Sequence, residues 1–401
     1  MCKSVVQGRG LPWLATACVA FAPAAHAEVT VYGAVDATFD SVKSTVSANP
    51  GGSASVSRVN SNSSLVGFKG REDLGNGVAS VWQIESGVGV DSGGGTLGTR
   101  DTFVGLAAPW GTVTLGRLTG PARALGGLMD INRGATGIAA NTALLGKLGN
   151  LPLGDPFTKP FASLVPAAAG EGVTQQQIGP FDNRWKNAIA YQSPAWNGLS
   201  AAALIGMVET GVGDPATDHR AKGYDLGLRY DMGAALFAAT YTVLDTGASD
   251  SAPTGYSAFK KLSDWRVAAI YRLGGQSRVG FLYEEVSGDF TANAAGGFAG
   301  RELTQPVWYL SGVWDVGIGR VIGQYGQARK MRGLPDADGS GANHVAVGYE
   351  HDLSKRTLLK ALYSRIDNGR NAAFDYGIGS VGGVGQDASV RGVSLGIRHQ
   401  F

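Results

Sequence analysis

Hydrophobic and polar residues alternate one for one along most of the chain. The closing stretch RGVSLGIRHQF (391–401) shows the rule: Val393, Leu395, Ile397 and Phe401 share one parity, and Ser394, Gly396, Arg398 and Gln400 the other. A period of two with one greasy face marks a β-strand. The same alternation runs through VTVYGAVDATF (29–39), SVWQIESGV (80–88), TVTLGR (112–117), YDLGLRY (224–230), ALFAATYTV (235–243), RVGFLYEEV (278–286), HVAVGYEHDL (344–353) and TLLKALYSR (357–365). No convincing long helix-period segment lies between 28 and 401.

The connections between these stretches follow a second rule. Seven are tight and use the Gly, Pro, Asn and Asp chemistry of turns: 72–77, 108–111, 193–198, 231–233, 273–276, 315–319 and 352–355. Eight are longer, polar and rich in Gly, Ala, Ser, Asn and Asp: about 45–62, 89–99, 118–184, 210–219, 247–263, 288–303, 332–342 and 369–386. Long and short alternate from one end of the chain to the other, and together they link sixteen strands. This predicts an all-β fold, a 16-stranded antiparallel transmembrane β-barrel with short turns on one rim and long loops on the other. A bilayer leaves no backbone polar group unpaired, so a spanning sheet must close on itself. The apolar parity is expected to face lipid and the polar parity the lumen. Trp110, Trp196, Trp308, Trp314, Tyr230, Tyr271 and Phe401 fall near strand ends, where aromatic belts belong. The strands EVTVYGAVDATF and SVRGVSLGIRHQF are expected to pair and shut the barrel.

Composition sharpens this picture. The 401 residues include 62 Gly and only 16% charged residues, too few charges for an ordinary soluble enzyme of this length. The first 27 residues read as a cleaved export signal: Lys3 and Arg9, an apolar run from Leu11 to Phe21, then Ala25-His26-Ala27. The run is too short for a membrane anchor, which needs about 20 apolar residues. Domain 28–401 is then the barrel. Both cysteines, Cys2 and Cys18, fall in the leader, so the mature chain holds no disulfide. Removing Lys3 and Arg9 from the 34 basic residues balances them against the 32 acidic ones, and nothing suggests a nucleic-acid partner.

Taken together, VTVYGAVD (29–36), GFKGREDLGNGVASVWQIESG (67–87), RDTFVGLAAPWGTVTLGR (100–117), NAIAYQSPAWNGLSAAALIG (187–206), LSKRTLL (353–359) and GVSLGIRHQF (392–401) resemble the general trimeric porins of Gram-negative bacteria, within them the β-proteobacterial branch. The resemblance implies an outer-membrane homotrimer among lipid and lipopolysaccharide, passive diffusion of small hydrophilic solutes, and a third extracellular loop folded into the lumen as a constriction. It also implies that Phe401 is a handle for the barrel-assembly machinery. The long third connection, 118–184, carries LLGKLGNLPL (144–153), Phe157, Phe161 and Phe181, apolar residues that suit a loop packed against the wall.

Pores select by width and by charge at their narrowest point. Parity places Tyr32, Asp36, Gln83 and Glu85 inward. Taking Phe103 and Gly105 as lipid-facing leaves Arg100, Thr102 and Val104 inward. Taking Trp185, Ile189 and Tyr191 as lipid-facing leaves Arg184 and Lys186 inward. Arg117 shares the parity of Val113 and Leu115, so it reaches the lumen only if the chain bends there. By resemblance, Arg100 and Arg117 match a basic ladder and Glu85 the acid beside it. Leu65 stands where the family commonly places another inward Arg, and Lys69 lies towards the periplasmic end. Asp130 is the first choice for a loop acid facing this wall, with Asp155 second and Arg123 and Arg133 flanking Asp130. The expectation is a mild anion preference.

Other functions find less support. Four histidines remain after the leader, His219, His344, His351 and His399, none in a nucleophile motif, so an enzyme is not expected. Metal, cofactor and phosphate-loop patterns are lacking, and the Gly-rich GVGVDSGGGTLG (87–98) opens no helix. The long third loop and Leu65 keep open a channel specific for phosphate, an organic acid or a sugar.

Overall fold

The structure is a computed structural model that describes residues 28–48, 54–149, 179–207, 222–245, 259–292 and 299–401. The leader, Asp155, Phe157, Phe161 and His219 lie outside the described residues. Strands β1 (Glu28–Ser44), β2 (Ser55–Ser61), β3 (Leu65–Gly75), β4 (Val78–Gly87), β5 (Thr102–Ala108) and β6 (Gly111–Thr119) precede helix α1 (Pro121–Met129). After it come β7 (Arg184–Gln192), β8 (Leu199–Met207), β9 (Lys222–Asp231), β10 (Ala235–Asp245), β11 (Phe259–Gly274) and β12 (Ser277–Phe290). The chain ends with β13 (Glu302–Asp315), β14 (Gly319–Ala328), β15 (Ala342–Asp352), β16 (Thr357–Asn368) and β17 (Ser389–Gln400).

These seventeen segments form one antiparallel sheet in which β17 pairs back onto β1 from Ala34↔Gln400 to Ser44↔Val390. Closure removes the sheet edge that a membrane would not tolerate. β2 and β3 lie end to end along β1, β3 against Glu28–Ala34 and β2 against Ala37–Lys43, so seventeen segments fill sixteen strand positions. The break between them is a designed kink: the Ser64 hydroxyl accepts from Asp36 N at 2.8 Å and donates to Asp36 O at 3.0 Å. The first long connection is therefore shorter than the pattern suggests, because 55–61 are strand. Likewise 259–263 belong to β11. All seven tight turns fall where the turn residues place them.

The outer face carries the apolar parity. Val31, Val35 and Phe39 on β1, Leu226 and Leu228 on β9, Leu359 and Tyr363 on β16, and Val393, Leu395 and Ile397 on β17 are all exposed. Aromatic rings band this face at two heights. Trp265 lies tilted against Tyr283 at 5.2 Å and Trp308 against Tyr325 at 5.3 Å, towards the long-loop rim. Trp110, Trp196, Tyr230, Tyr271, Trp314 and Phe401 are exposed towards the short-turn rim.

The inner face is not uniformly polar. Leu236, Leu282, Val307, Tyr309, Ile366 and Val390 point inward and are buried, in one apolar cluster with Leu125, Met129, Ile138, Leu144 and Leu145 of the third long connection. Loop residues that bring their own apolar surface make apolar wall positions favourable. Two orientations expected from parity are thereby corrected. On β5 it is Val104 and Leu106 that are exposed on the outer face, while Phe103 packs with Leu118, Trp185 and Phe181. On β7 Trp185 is fully buried in that same cluster rather than facing lipid.

Candidate functional site

The third connection is tied to the barrel by side chains of the inward parity. Pro121 fits the first turn of α1 because it has no N–H to leave unpaired. The Asp225 carboxylate accepts from Ala122 N at 3.2 Å, and Arg266 donates to Ala122 O at 2.9 Å and to both oxygens of Asp182 at 2.9 Å. Arg278 donates to the carbonyls of Leu128 (2.9 Å) and Asp130 (2.6 Å), Glu284 accepts from Gly146 N (2.9 Å), and Gln324 donates to Ala139 O (2.8 Å). Arg133 pairs with Asp352, and Glu350 takes Arg133 N at 2.9 Å and Arg320 at 2.6 Å. Charged groups here fasten a loop to a wall.

Asp130 belongs to this fastening rather than to a free rim of charge. It is buried, with Oδ1 accepting from Asn132 N and Nδ2 (3.1 and 2.8 Å) and Oδ2 from Asn141 N (2.9 Å). Burial pushes its carboxyl up to about 7 against these donors. The acid expected to face the basic wall is thus a staple of the loop's own backbone.

A second loop joins it. In the connection between β16 and β17, Asn368 brackets Phe374, donating to its carbonyl at 3.0 Å and accepting its N–H at 2.6 Å. Tyr376 donates to Ser364 O at 2.8 Å, and Phe374, Tyr376, Val381 and Val384 pack with Ile138, Leu144 and Leu145. Lys147 donates to Ala143 O at 2.8 Å and Asp375 O at 3.1 Å, linking the two loops. Burial pushes the Lys147 ammonium down to about 8.

The walls of β1 and β3–β7 carry the other predicted residues. Tyr32 lies across Gly67, where any Cβ would strike its ring, and donates to Glu85 Oε2 at 2.9 Å. Arg100 donates to Glu85 Oε1 at 2.6 Å, and Arg184 pairs with Asp101 at 2.9 Å and lies 4.0 Å from Glu85. Sequence reasoning missed Asp101, although it stands next to Arg100. Burial pushes its carboxyl up, but the Arg184 guanidinium wins and holds it below its ordinary value. Gln83 donates to Asp101 O at 3.2 Å. Tyr32, Gln83, Glu85, Arg100 and Arg184 therefore converge on one patch.

Arg117 and Lys186 meet at a register step. Pairing passes from Gly116↔Ala188 to Leu118↔Trp185, which sets Arg117 opposite Lys186 and Asn187, and Asn187 takes a left-handed φ of 46°. Such a bulge re-aims the side chains beside it. Lys69 stands 5.1 Å above the Tyr32 ring, and Leu65 pairs with Ala34 on the same inward parity. A second cluster gathers at Asp36, which parity places inward: Asp36 pairs with Lys360 and, at 3.0 Å, with Arg398, and takes Asn62 at 3.0 Å, and of these Lys360 and Asn62 escaped the pattern reading. Lys360 could have been found, since it stands between the lipid-facing Leu359 and Ala361.

A closed barrel with two loops fastened to its inner face is a pore wall, and the sequence comparisons agree. Residues 15–371 match the family described as Gram-negative porin. The chain belongs to that family. This porin is similar to the major outer membrane protein P.IA of Neisseria meningitidis serogroup B (strain ATCC BAA-335 / MC58), with 24% identity over 94% of this chain and 96% of that protein. A shorter match, to P.IB of Neisseria gonorrhoeae, is 39% identical over 26% of this chain and 30% of that one. In fold, the porin is similar to the anion-selective porin from Comamonas acidovorans, with TM-score 0.69, 22% identity, and 94% and 100% of the two chains covered. It is also similar to the trimer form of OmpT from Vibrio cholerae, with TM-score 0.61, 15% identity, and 94% and 99% covered. The porin is an outer-membrane channel.

Proposed function

We propose that this porin is a homotrimeric general diffusion channel, exported through a cleaved leader (1–27), with a mild preference for small anions. The observation that carries the reading is the convergence of Arg100 and Arg184 on Glu85, beside Arg117, Lys186 and Lys69. Two acids, Glu85 and Asp101, are compensated there by Arg100 and Arg184 while Arg117, Lys186 and Lys69 stand nearby, and a narrow lumen strengthens such fields relative to an open surface. Asp130 is left out of this set, because its carboxylate is spent on the loop. Leu65 lowers the wall's positive charge by one rung, consistent with a mild rather than strong preference. The anion selectivity named for the Comamonas protein supports the same direction.

Single-channel recording of the purified protein tests the reading. Three equal closing steps, conductance that rises with salt, and no block by sugars, phosphate or organic acids support it. Block at low concentration by one of those solutes moves the assignment to a substrate-specific channel, which the packing of a second loop against the third would suit.

A further inference from the structure

Helix α1 lies flat on the inner wall, and the face it turns to the lumen carries no charge. Two wall glycines let it down onto the sheet. A Cβ at Gly227 would stand 2.7 Å from Pro121 at the helix start, and one at Gly280 would stand 2.8 Å from Met129 at its end. The helix therefore runs from β9 to β12 with Ala122, Leu125, Gly126 and Met129 buried beneath it. Ala124 and Gly127, one turn apart, are exposed on the opposite side, with Leu128 half-buried beside them. A Cβ at Gly127 would meet nothing within 4 Å. The one charged residue of the helix, Arg123, donates to the Asp182 carbonyl. Both acids of the described part of the third connection, Asp130 and Asp182, are buried. In the order of the sheet, β9–β12 stand across the lumen from β17, β1, β3 and β4, which carry Tyr32, Lys69, Gln83 and Glu85.

We propose that Ala124, Gly127 and Leu128 set the solute class of this channel: facing the cationic wall with an apolar surface, they favour the passage of small carboxylates with a flat apolar body, such as aromatic monocarboxylates, over hydrophilic anions of the same size. A solute drawn by its charge towards Arg100, Lys69 and Lys186 turns its other end to α1. No acid stands there among the described residues to repel it, and apolar contact is favourable in proportion to the area removed from water. A polar group pressed against the same face gives up water without gaining a side-chain partner. The two surfaces adjoin. Thr119 N, just before the helix, donates to Asp101 at 2.6 Å, and Asp101 is the partner of Arg184. Ala124 follows Pro121 by one turn, so the apolar face begins about one turn beyond the charged patch. The proposal rests on the anion-preferring channel described above and adds a bias in transit rather than a tight site.

The test is the zero-current potential of the purified protein in a planar bilayer, with sodium chloride on one side and sodium benzoate or sodium nicotinate on the other at neutral pH. A protein-free bilayer corrects for acid that crosses the lipid. The two acids share shape and charge, and nicotinate differs by a polar ring nitrogen. Benzoate should permeate about threefold better than nicotinate through the wild type. Ala124→Ser with Gly127→Ser should bring that ratio close to one. Gly127→Ser alone, whose side chain enters open space, serves if heat-modifiable gel migration shows that the double variant does not fold, and should lower the ratio part of the way. A wild type that passes chloride over sodium yet treats the two acids alike overturns the proposal and leaves the anion preference standing. A ratio unchanged in the serine variants also overturns it and assigns the discrimination to another part of the lumen. Sodium passing more readily than chloride overturns the channel reading beneath the proposal, and the proposal with it.

Discussion

The Phe401 ring lies against the bare backbone of Gly33 while the two residues exchange both main-chain hydrogen bonds, Gly33 N to Phe401 O at 3.0 Å and Phe401 N to Gly33 O at 3.1 Å. The seam that closes the barrel is thus completed by an aromatic ring that only a glycine can accommodate.

Phe401→Ala should lower the yield of folded barrel, and Phe401→Tyr should restore it. The expected loss is on the order of 1–2 kcal/mol at the seam, since the ring is half-exposed. Gly33→Val should do the same from the other side. Refolding yield, followed by heat-modifiable gel migration, checks both, and the surviving pores should conduct like the wild type. An unchanged yield for both variants would mean that the contact does not serve assembly.

Charge changes at the Glu85 patch should move selectivity in opposite directions. Glu85→Gln leaves Arg100 and Arg184 less compensated and should raise the anion-to-cation permeability ratio roughly twofold. Arg184→Gln, which frees Asp101, should lower it by a similar factor. Bi-ionic reversal potentials read both.

Tyr376→Ala should loosen the tie between the two inner loops without unfolding the barrel. Removing a fully buried aromatic side chain costs about 3–5 kcal/mol. Here the loss falls on loop packing rather than on the strand ladders. Larger conductance or frequent gating should follow, and traces identical to the wild type would show that the second loop does not limit flow.

Asp130 should make loop packing sensitive to pH. Its folded value of about 7 lies above the ordinary carboxylate value, so the packed loop holds the proton more tightly than the free chain. Its stabilising contribution is complete below the ordinary value and is lost as pH rises through about 7. Open-channel noise should therefore grow between pH 5 and 7, below the Lys147 value of about 8. Asp130→Asn should flatten the profile.

The strand plan was legible because lipid imposes a simple rule on the outer face. Ile397, Leu395 and Val393 must be greasy whatever else the chain does, and turn chemistry punctuates them. The inner face obeys no such rule. Where a loop packs on it, Phe103 and Trp185 turn inward and mimic lipid-facing residues, and at Arg117 a bulge breaks the alternation altogether. Asp130 was misjudged for a related reason: sequence shows a charge in a loop but not the backbone N–H groups that occupy it. Glu85, Arg100 and Arg184 could be singled out, yet their convergence depends on the register of three separate strands and on Asp101.

The most direct measurement is the zero-current potential of the purified channel in a planar bilayer under a low-salt potassium chloride gradient. The sign expected is that of chloride moving more readily than potassium, with Glu85→Gln increasing its size. A clear potential of the opposite sign would contradict the basic wall and the reading built on it.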